Sequence, residues 1–238
     1  RVGLECGMTR FDLSAYRGHA TTRYVLDASV VEASTLAAMA DTSNGGRVAL
    51  SPRTAAGGRI TLTANSINPL DRAKVTLPVQ FGNSGGSLRA WMVEVENLTC
   101  ATTRGVVGIS SEYANDEGFT GLRWDSSGVR LETSSQAPNR VIKGGFFHKV
   151  EGVSAGVLVD VPTGASSSAT AIGEFGGVQA VTGPSYPGGG NLAVAAQGLQ
   201  QASIFTYALD GYPSEVRFSK LVLTCIWNTQ GQMVERVF

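Results

Sequence analysis

The sequence predicts an all-β protein, an antiparallel β-sandwich or jelly roll with one short helix near the N-terminus. Three observations predict it. Short runs of alternating apolar and polar residues recur from Arg47 onward, the pattern of strands with one buried face. Thirty glycines, with abundant Ser and Thr, supply the turns that many short strands need. Stretches of helical period are scarce, and only one is a good candidate.

The 238 residues fit a single large sandwich, and 42% hydrophobic content is ample for its core. Charged residues make up 16% and balance, 19 basic against 19 acidic. That balance speaks against nucleic acid, whose partners carry a basic footprint. No apolar run approaches the roughly 18 residues that cross a bilayer, so no membrane partner is expected. No basic-then-apolar signal segment opens the chain, and Arg1 in place of Met reads as a processed or partial start. Cys6, Cys100 and Cys225 are odd in number and far apart, neither a disulfide framework nor a zinc pattern. Three buried thiols packed as small hydrophobes are preferred over one bridge.

Arg1–Arg23 reads as irregular, with modest strand potential at Phe11–Leu13. Tyr24–Val31 could be a strand, or Asp27 or Ser29 could cap a helix through Ala40, stopped at Asn44-Gly45. Arg47–Ser51, Arg59–Ala64 and Ala73–Val79 are short strands split by Pro52, Gly57-Gly58 and Asn68-Pro69. Ser87–Ser110 reads as two antiparallel strands: Trp91, Val93 and Val95 alternate with Met92, Glu94 and Glu96, and Gly105–Ile109 is apolar again. Gly121–Trp124 and Val129–Thr133 flank Asp125-Ser-Ser-Gly128, with Asp and Gly where a tight hairpin wants them. Phe146–Val150 and Ala155–Val161 are two further strands. Pro162–Gly190 reads as a long loop holding one strand near Ala171–Phe175. Leu192–Ala196, Ala202–Ala208, Glu215–Phe218 and Leu221–Trp227 close the sheets. With no repeat and no linker, residues 1–46 are expected to be an N-terminal extension and residues 47–238 one sandwich domain.

Gly82-Asn-Ser-Gly-Gly86 resembles the nucleophile loop of chymotrypsin-like proteases, which would make Ser84 the nucleophile and His19 its base. Too little chain precedes Ser84 for that fold, and a glycine-rich turn before a strand explains the motif. Glu94 and Glu96 share one strand face, and paired carboxylates about 5–5.5 Å apart serve retaining glycosidases. A solvated strand face is the plainer reading. Two histidines cannot build a multi-histidine metal site, and Asn115-Asp116-Glu117 lacks the spacing of a calcium loop. No catalytic residue, metal or cofactor is therefore expected. Candidate binding residues are Tyr113, Arg123, Trp124 and Asp125, an aromatic and polar group, with Tyr186 and Tyr212 beside prolines on glycine-rich loops.

Across Leu62–Val161, AWMVEVENLT, RGVVGIS, GLRWDSSGVRL and GVSAGVLVDVPTGA resemble successive strands of the SPRY/B30.2 domain, a concanavalin-like β-sandwich. The family's Phe-x-x-Asn-Gly segment after Asp160 is replaced here by a Ser/Gly-rich stretch. The resemblance implies a binding module, of a kind found in divergent form on bacteriophage and other virion surfaces. The expected function is that of a non-enzymatic virion structural protein: a fibre, spike, decoration or capsid subunit acting by assembly and receptor binding. Its partners would be further copies of itself, other virion subunits and a host glycan or receptor. The alternative is a secreted, extracellular carbohydrate-binding or glycoside-acting domain with Glu94 and Glu96 in its groove.

Overall fold

The computed structural model describes residues 11–43, 45–51, 57–65, 72–82, 87–101, 104–110, 119–133, 140–144, 149–161, 170–182, 200–208 and 213–238. A 3-10 turn (Ser14–Tyr16) leads into β1 (His19–Asp27), α1 (Ala33–Met39), β2 (Ala40–Ser43), β3 (Arg47–Leu50), β4 (Ile60–Ala64) and β5 (Arg72–Thr76). The middle of the chain forms β6 (Leu88–Ala101), β7 (Arg104–Ser110), β8 (Phe119–Asp125), β9 (Gly128–Thr133), β10 (Arg140–Gly144) and β11 (Lys149–Asp160). It closes with β12 (Thr170–Phe175), β13 (Val178–Thr182), β14 (Gln201–Tyr207), β15 (Ser214–Phe218), β16 (Lys220–Gln230) and β17 (Met233–Val237). These strands make two sheets packed as a sandwich, as the sequence predicts. One has seven strands in the order β10-β9-β8-β7-β14-β5-β2. The other has ten, running β13-β12-β11-β6 and then forking.

The fork follows from the length of β6. From Leu88 to Glu96 it pairs with β16, which carries β1 and β17 beyond it. From Thr99 to Ala101 it pairs with β15, which carries β4 and β3. At the branch Asn97 takes φ 60°, a left-handed conformation that Asn tolerates better than most residues. Opposite it Ser219 breaks β15 from β16, and its N–H donates to the Glu96 carbonyl at 3.0 Å. Here Gly58 passes so close to the backbone of Ala28 that a Cβ would lie 2.0 Å from its carbonyl oxygen.

The core lies between the sheets. Trp91, Val93, Val95, Leu221 and Leu223 enter from the ten-stranded side, and Val107, Ile109, Leu122, Trp124, Ala202 and Ile204 from the other. β6 also buries its far face. Ala90 and Met92 pack there with Leu158 and Ile226 under Leu13 and Tyr16 of the N-terminal segment. The Tyr16 hydroxyl donates to Asp160 at 3.0 Å, and Arg89, ion-paired to Asp160, lies over the Tyr16 ring at 5.4 Å. Residues of the expected N-terminal extension thus supply a strand hydrogen-bonded along both edges, β1, as well as the helix and β2.

Several expectations change on folding. β6 and β7 are consecutive but do not pair; they belong to opposite sheets. Two strands facing one core from opposite sides show the same alternation as a hairpin with one buried face, so periodicity alone does not separate them. Glu94, expected on a solvated face, is fully buried on the outer side of the ten-stranded sheet. The helix is shorter than expected because Asp27 instead holds a turn, its carboxylate accepting from the N–H of Ser29 at 2.8 Å. The two strands expected at Phe146–Val150 and Ala155–Val161 meet, in their described residues, as one strand, β11 (Lys149–Asp160), whose register slips around Gly152 at φ 62°. The stretch expected as a loop contains a β12–β13 hairpin turned by Gly176 and Gly177 at φ 57° and 85°, a pair of left-handed residues that suits a two-residue turn. Leu192–Ala196 and Cys6 lie outside the described residues. Cys100 and Cys225 are buried free thiols, and burial pushes the Cys225 thiol up to about 12. Among the described residues, no helix is long and apolar enough to cross a membrane.

Candidate functional site

The outer face of the seven-stranded sheet is where this fold gathers chemistry. Because side chains alternate along a strand, the residues that do not enter the core form transverse rows set by the register. One row runs Asp41, Lys74, Phe205, Val106, Arg123 and Arg130 across β2, β5, β14, β7, β8 and β9. The next begins Arg72, Tyr207 and Arg104.

Val106, Phe205 and Tyr207 form an apolar cluster of their own, separate from the core. The two rings sit 5.7 Å apart at 34°. They are only 5% and 8% exposed although they point away from the core, so this part of the face is covered. Arg123 braces the cluster from one side. Its Nε donates to Glu132 Oε2 at 2.5 Å and its guanidinium also donates to the Tyr207 hydroxyl. Charge-assisted bonds of this kind are the stronger class and fix geometry. On the other side the Arg104 guanidinium lies 4.9 Å from the Tyr207 ring centroid, a cation–π contact.

The β8–β9 turn frames one end. Asp125 accepts from the N–H of Ser127 at 2.8 Å and pairs with Arg130. Partial burial pushes its pKa up, but the Ser127 bonds and the nearby cations Arg130 and Arg104 outweigh that and hold it below the ordinary 3.8. A carboxylate with a depressed folded pKa stabilises the fold above its unfolded pKa, and the benefit fades as pH falls through the folded value. Asp125→Asn should therefore lower stability at about pH 6, and the gap from the parent chain should close below about pH 4, read by urea unfolding at each pH.

Of the residues expected to bind, Arg123 and Asp125 reach this face. Trp124 does not. It is fully buried and points into the core beside Phe175, with ring centroids 6.4 Å apart, because period-2 alternation turns it opposite to its neighbours. Tyr113, Tyr186 and Tyr212 lie outside the described residues, as does Ser84. His19 donates from Nδ1 to the Trp227 carbonyl at 2.7 Å. Glu94 and Glu96 sit on the far sheet, where Lys220 bridges Glu96 at 3.5 Å and Asp27 at 3.4 Å. No group of three His, Cys, Asp or Glu among the described residues could hold a metal ion. Phe205, Tyr207 and Arg104 were not singled out from the sequence. Their signal is the two-residue spacing of the aromatics in SIFTY, with the buried Thr206 between them.

No family model matches the chain, and no curated protein matches it. Solved structures do. It is similar to a peanut lectin bound with a nine-residue peptide at 11% identity and TM-score 0.55, covering 88% of this chain and 99% of that one. It is similar to the carbohydrate recognition domain of Emp47p at 12% identity and TM-score 0.51, covering 93% and 98%. A carbohydrate esterase from the Shiga toxin-encoding bacteriophage phi24B aligns at 11% identity and TM-score 0.50, covering 85% and 97%. At these identities the likeness is one of fold. The chain has a concanavalin-like β-sandwich, the architecture of the legume lectins. Lectins and an esterase both appear among its neighbours, so the fold alone does not decide between binding and cleavage.

Proposed function

We propose that this is a carbohydrate-recognition sandwich whose ligand face is the outer side of the seven-stranded sheet. The observation that carries the reading is the group of partly exposed arginines on that face, Arg72, Arg104 and Arg130, around the buried Phe205–Tyr207 pair. Fixed guanidinium groups supply directed donors to sugar hydroxyls. Several neighbours in fold are lectins or carbohydrate recognition domains, which supports the same reading.

A glycan array probed with the full chain should return specific hits. Arg104→Gln should weaken the best of them by about tenfold or more while leaving the melting temperature within a few degrees. An array without hits, or unchanged affinity in the variant, would sink the reading. Loss of array ligand over time, as reducing ends appear, would move the protein from binding to cleavage.

A second reading concerns setting. The sequence motifs resembling SPRY/B30.2 domains lie on β6, β7, β8, β9 and β11, and they support a virion or appendage subunit that displays this face to a host glycan. β17 favours assembly: among the described residues it pairs on one edge only, and Met233, Val234 and Val237 are 42%, 54% and 53% exposed. Edge strands with exposed apolar residues are templates for pairing. Light scattering should show a defined oligomer that Val234→Lys dissociates; a strict monomer at all concentrations would count against this setting and favour a secreted domain.

A further inference from the structure

Every residue of β17, Met233 to Val237, is exposed, so the strand buries none of its side chains within its own chain. It is nevertheless firmly placed. It pairs with β1 in unbroken parallel register from Thr21–Met233 to Val25–Val237. Glu235 meets Arg23 at 2.7 Å, and the Arg236 guanidinium lies 5.9 Å from the Tyr24 ring centroid. Edge strands are commonly blunted by a lysine, a proline or a bulge. β10, at the end of the seven-stranded sheet, has Lys143 and a register slip between Val141 and Lys143. β17 has none of the three and presents Met233, Val234 and Val237 instead.

Two hydrogen bonds fix which way its backbone groups point. The Phe238 N–H donates to the Val25 carbonyl at 2.9 Å, and the Gln232 carbonyl accepts from the Thr21 N–H at 3.3 Å. These groups alternate in direction along a strand. Gln232, Val234, Arg236 and Phe238 therefore point theirs at β1, while Met233, Glu235 and Val237 point theirs away from it. A further antiparallel strand would bond to Met233, Glu235 and Val237.

We infer that this further strand is β17 of a second copy of the chain, antiparallel to the first about a two-fold axis centred on Val234. This rests on the assembly reading above and names its partner and register. A two-fold axis through an antiparallel pair sets one residue opposite its own copy. Centring on Met233 or Val237 would leave most of the strand unpaired. Centring on Glu235 or Arg236 would set like charges directly opposite, which is destabilising. Centring on Val234 sets Val234 on its copy, Met233 against Glu235 and Gln232 against Arg236, and opposes no like charges. Met233 and Glu235 then exchange both backbone hydrogen bonds on each side of the axis, and Val234 takes the closer, non-hydrogen-bonded position. The ten-stranded sheet runs on from one copy into the next.

The test is disulfide cross-linking of the full chain carrying Cys6→Ser, with one cysteine added at a time; Cys100 and Cys225 are buried. Under mild oxidation Val234→Cys should give a covalent dimer, because directly opposed non-hydrogen-bonded residues lie within disulfide reach. Arg236→Cys, two residues along the same face and far from its own copy in this register, should cross-link at least about tenfold more slowly. Met233→Pro removes an outward N–H and leaves the β1 ladder whole. It should raise the dissociation constant of the dimer by about tenfold or more, read by light scattering over a dilution series, with the far-UV circular dichroism unchanged. Faster cross-linking at Arg236 than at Val234 overturns the register. A defined oligomer that neither cross-links at Val234 nor weakens with Met233→Pro overturns the β17 pairing and leaves assembly through another surface standing. A strict monomer at all concentrations overturns both.

Discussion

Trp91→Ala should cost about 3–5 kcal/mol of folding stability, the range for emptying a large aromatic site in a core. Trp91 is fully buried on β6, between Val159 of β11 and Cys225 of β16. Its ring meets Phe81 at 6.2 Å. β6 is hydrogen-bonded to three other strands and buries residues on both faces, so its backbone cannot collapse into the space left behind. Domains of this size hold only about 5–15 kcal/mol in total, which makes the loss a large fraction. Trp91→Phe should be far milder. The indole N–H has no hydrogen-bond partner, so Phe keeps much of the volume and removes an unsatisfied donor. Urea denaturation followed by far-UV circular dichroism would read both. A Phe variant as damaged as the Ala variant would mean that the indole makes a bond the structure does not show.

Gly105→Ala should destabilise by about 1–3 kcal/mol through overpacking, an unusual result for an added methyl in a strand. Gly105 lies directly opposite Trp124 across β7 and β8. A Cβ there would stand 2.5 Å from Trp124 Cζ2 and 2.7 Å from Cε2. Trp124 is itself fully buried against Phe175, so the ring has little room to retreat. The cause is therefore the pair and not the backbone, and a double-mutant cycle isolates it. Combined with Trp124→Leu, Gly105→Ala should lose most of its cost, giving a coupling of about 1 kcal/mol or more. Additive costs would place the strain elsewhere on β7. Arg104 and Val106 point outward from the same strand, so the single variant should also weaken glycan binding more than a core change on β11 would.

Most strands were legible because they follow the two-residue period, and the Asp125–Gly128 turn was legible because Asp and Gly carry its geometry. What the period does not encode is which sheet a strand joins. Trp91, Val93 and Val95 on β6 and Val107 and Ile109 on β7 alternate alike, yet they meet the core from opposite sides. Glu94 shows a related gap, since its burial depends on chain from elsewhere covering the back of the ten-stranded sheet. The Gly176-Gly177 pair reads as loop punctuation, and only the pairing of β12 with β13 makes it a hairpin turn. The candidate site was half visible. Arg123 and Asp125 stand out beside a tryptophan, but that tryptophan turns inward. Phe205, Tyr207 and Arg104 come together only because β14 lies beside β7, a contact between strands far apart in sequence.

Sugar binding on the outer face of the seven-stranded sheet, as proposed, is open to direct observation. The most direct test is a crystal structure of the full chain with the tightest-binding oligosaccharide. The expected result is a sugar seated on that face within hydrogen-bonding reach of Arg104. A sugar seated instead on the outer face of the ten-stranded sheet, near Glu96 and Lys220, would contradict it.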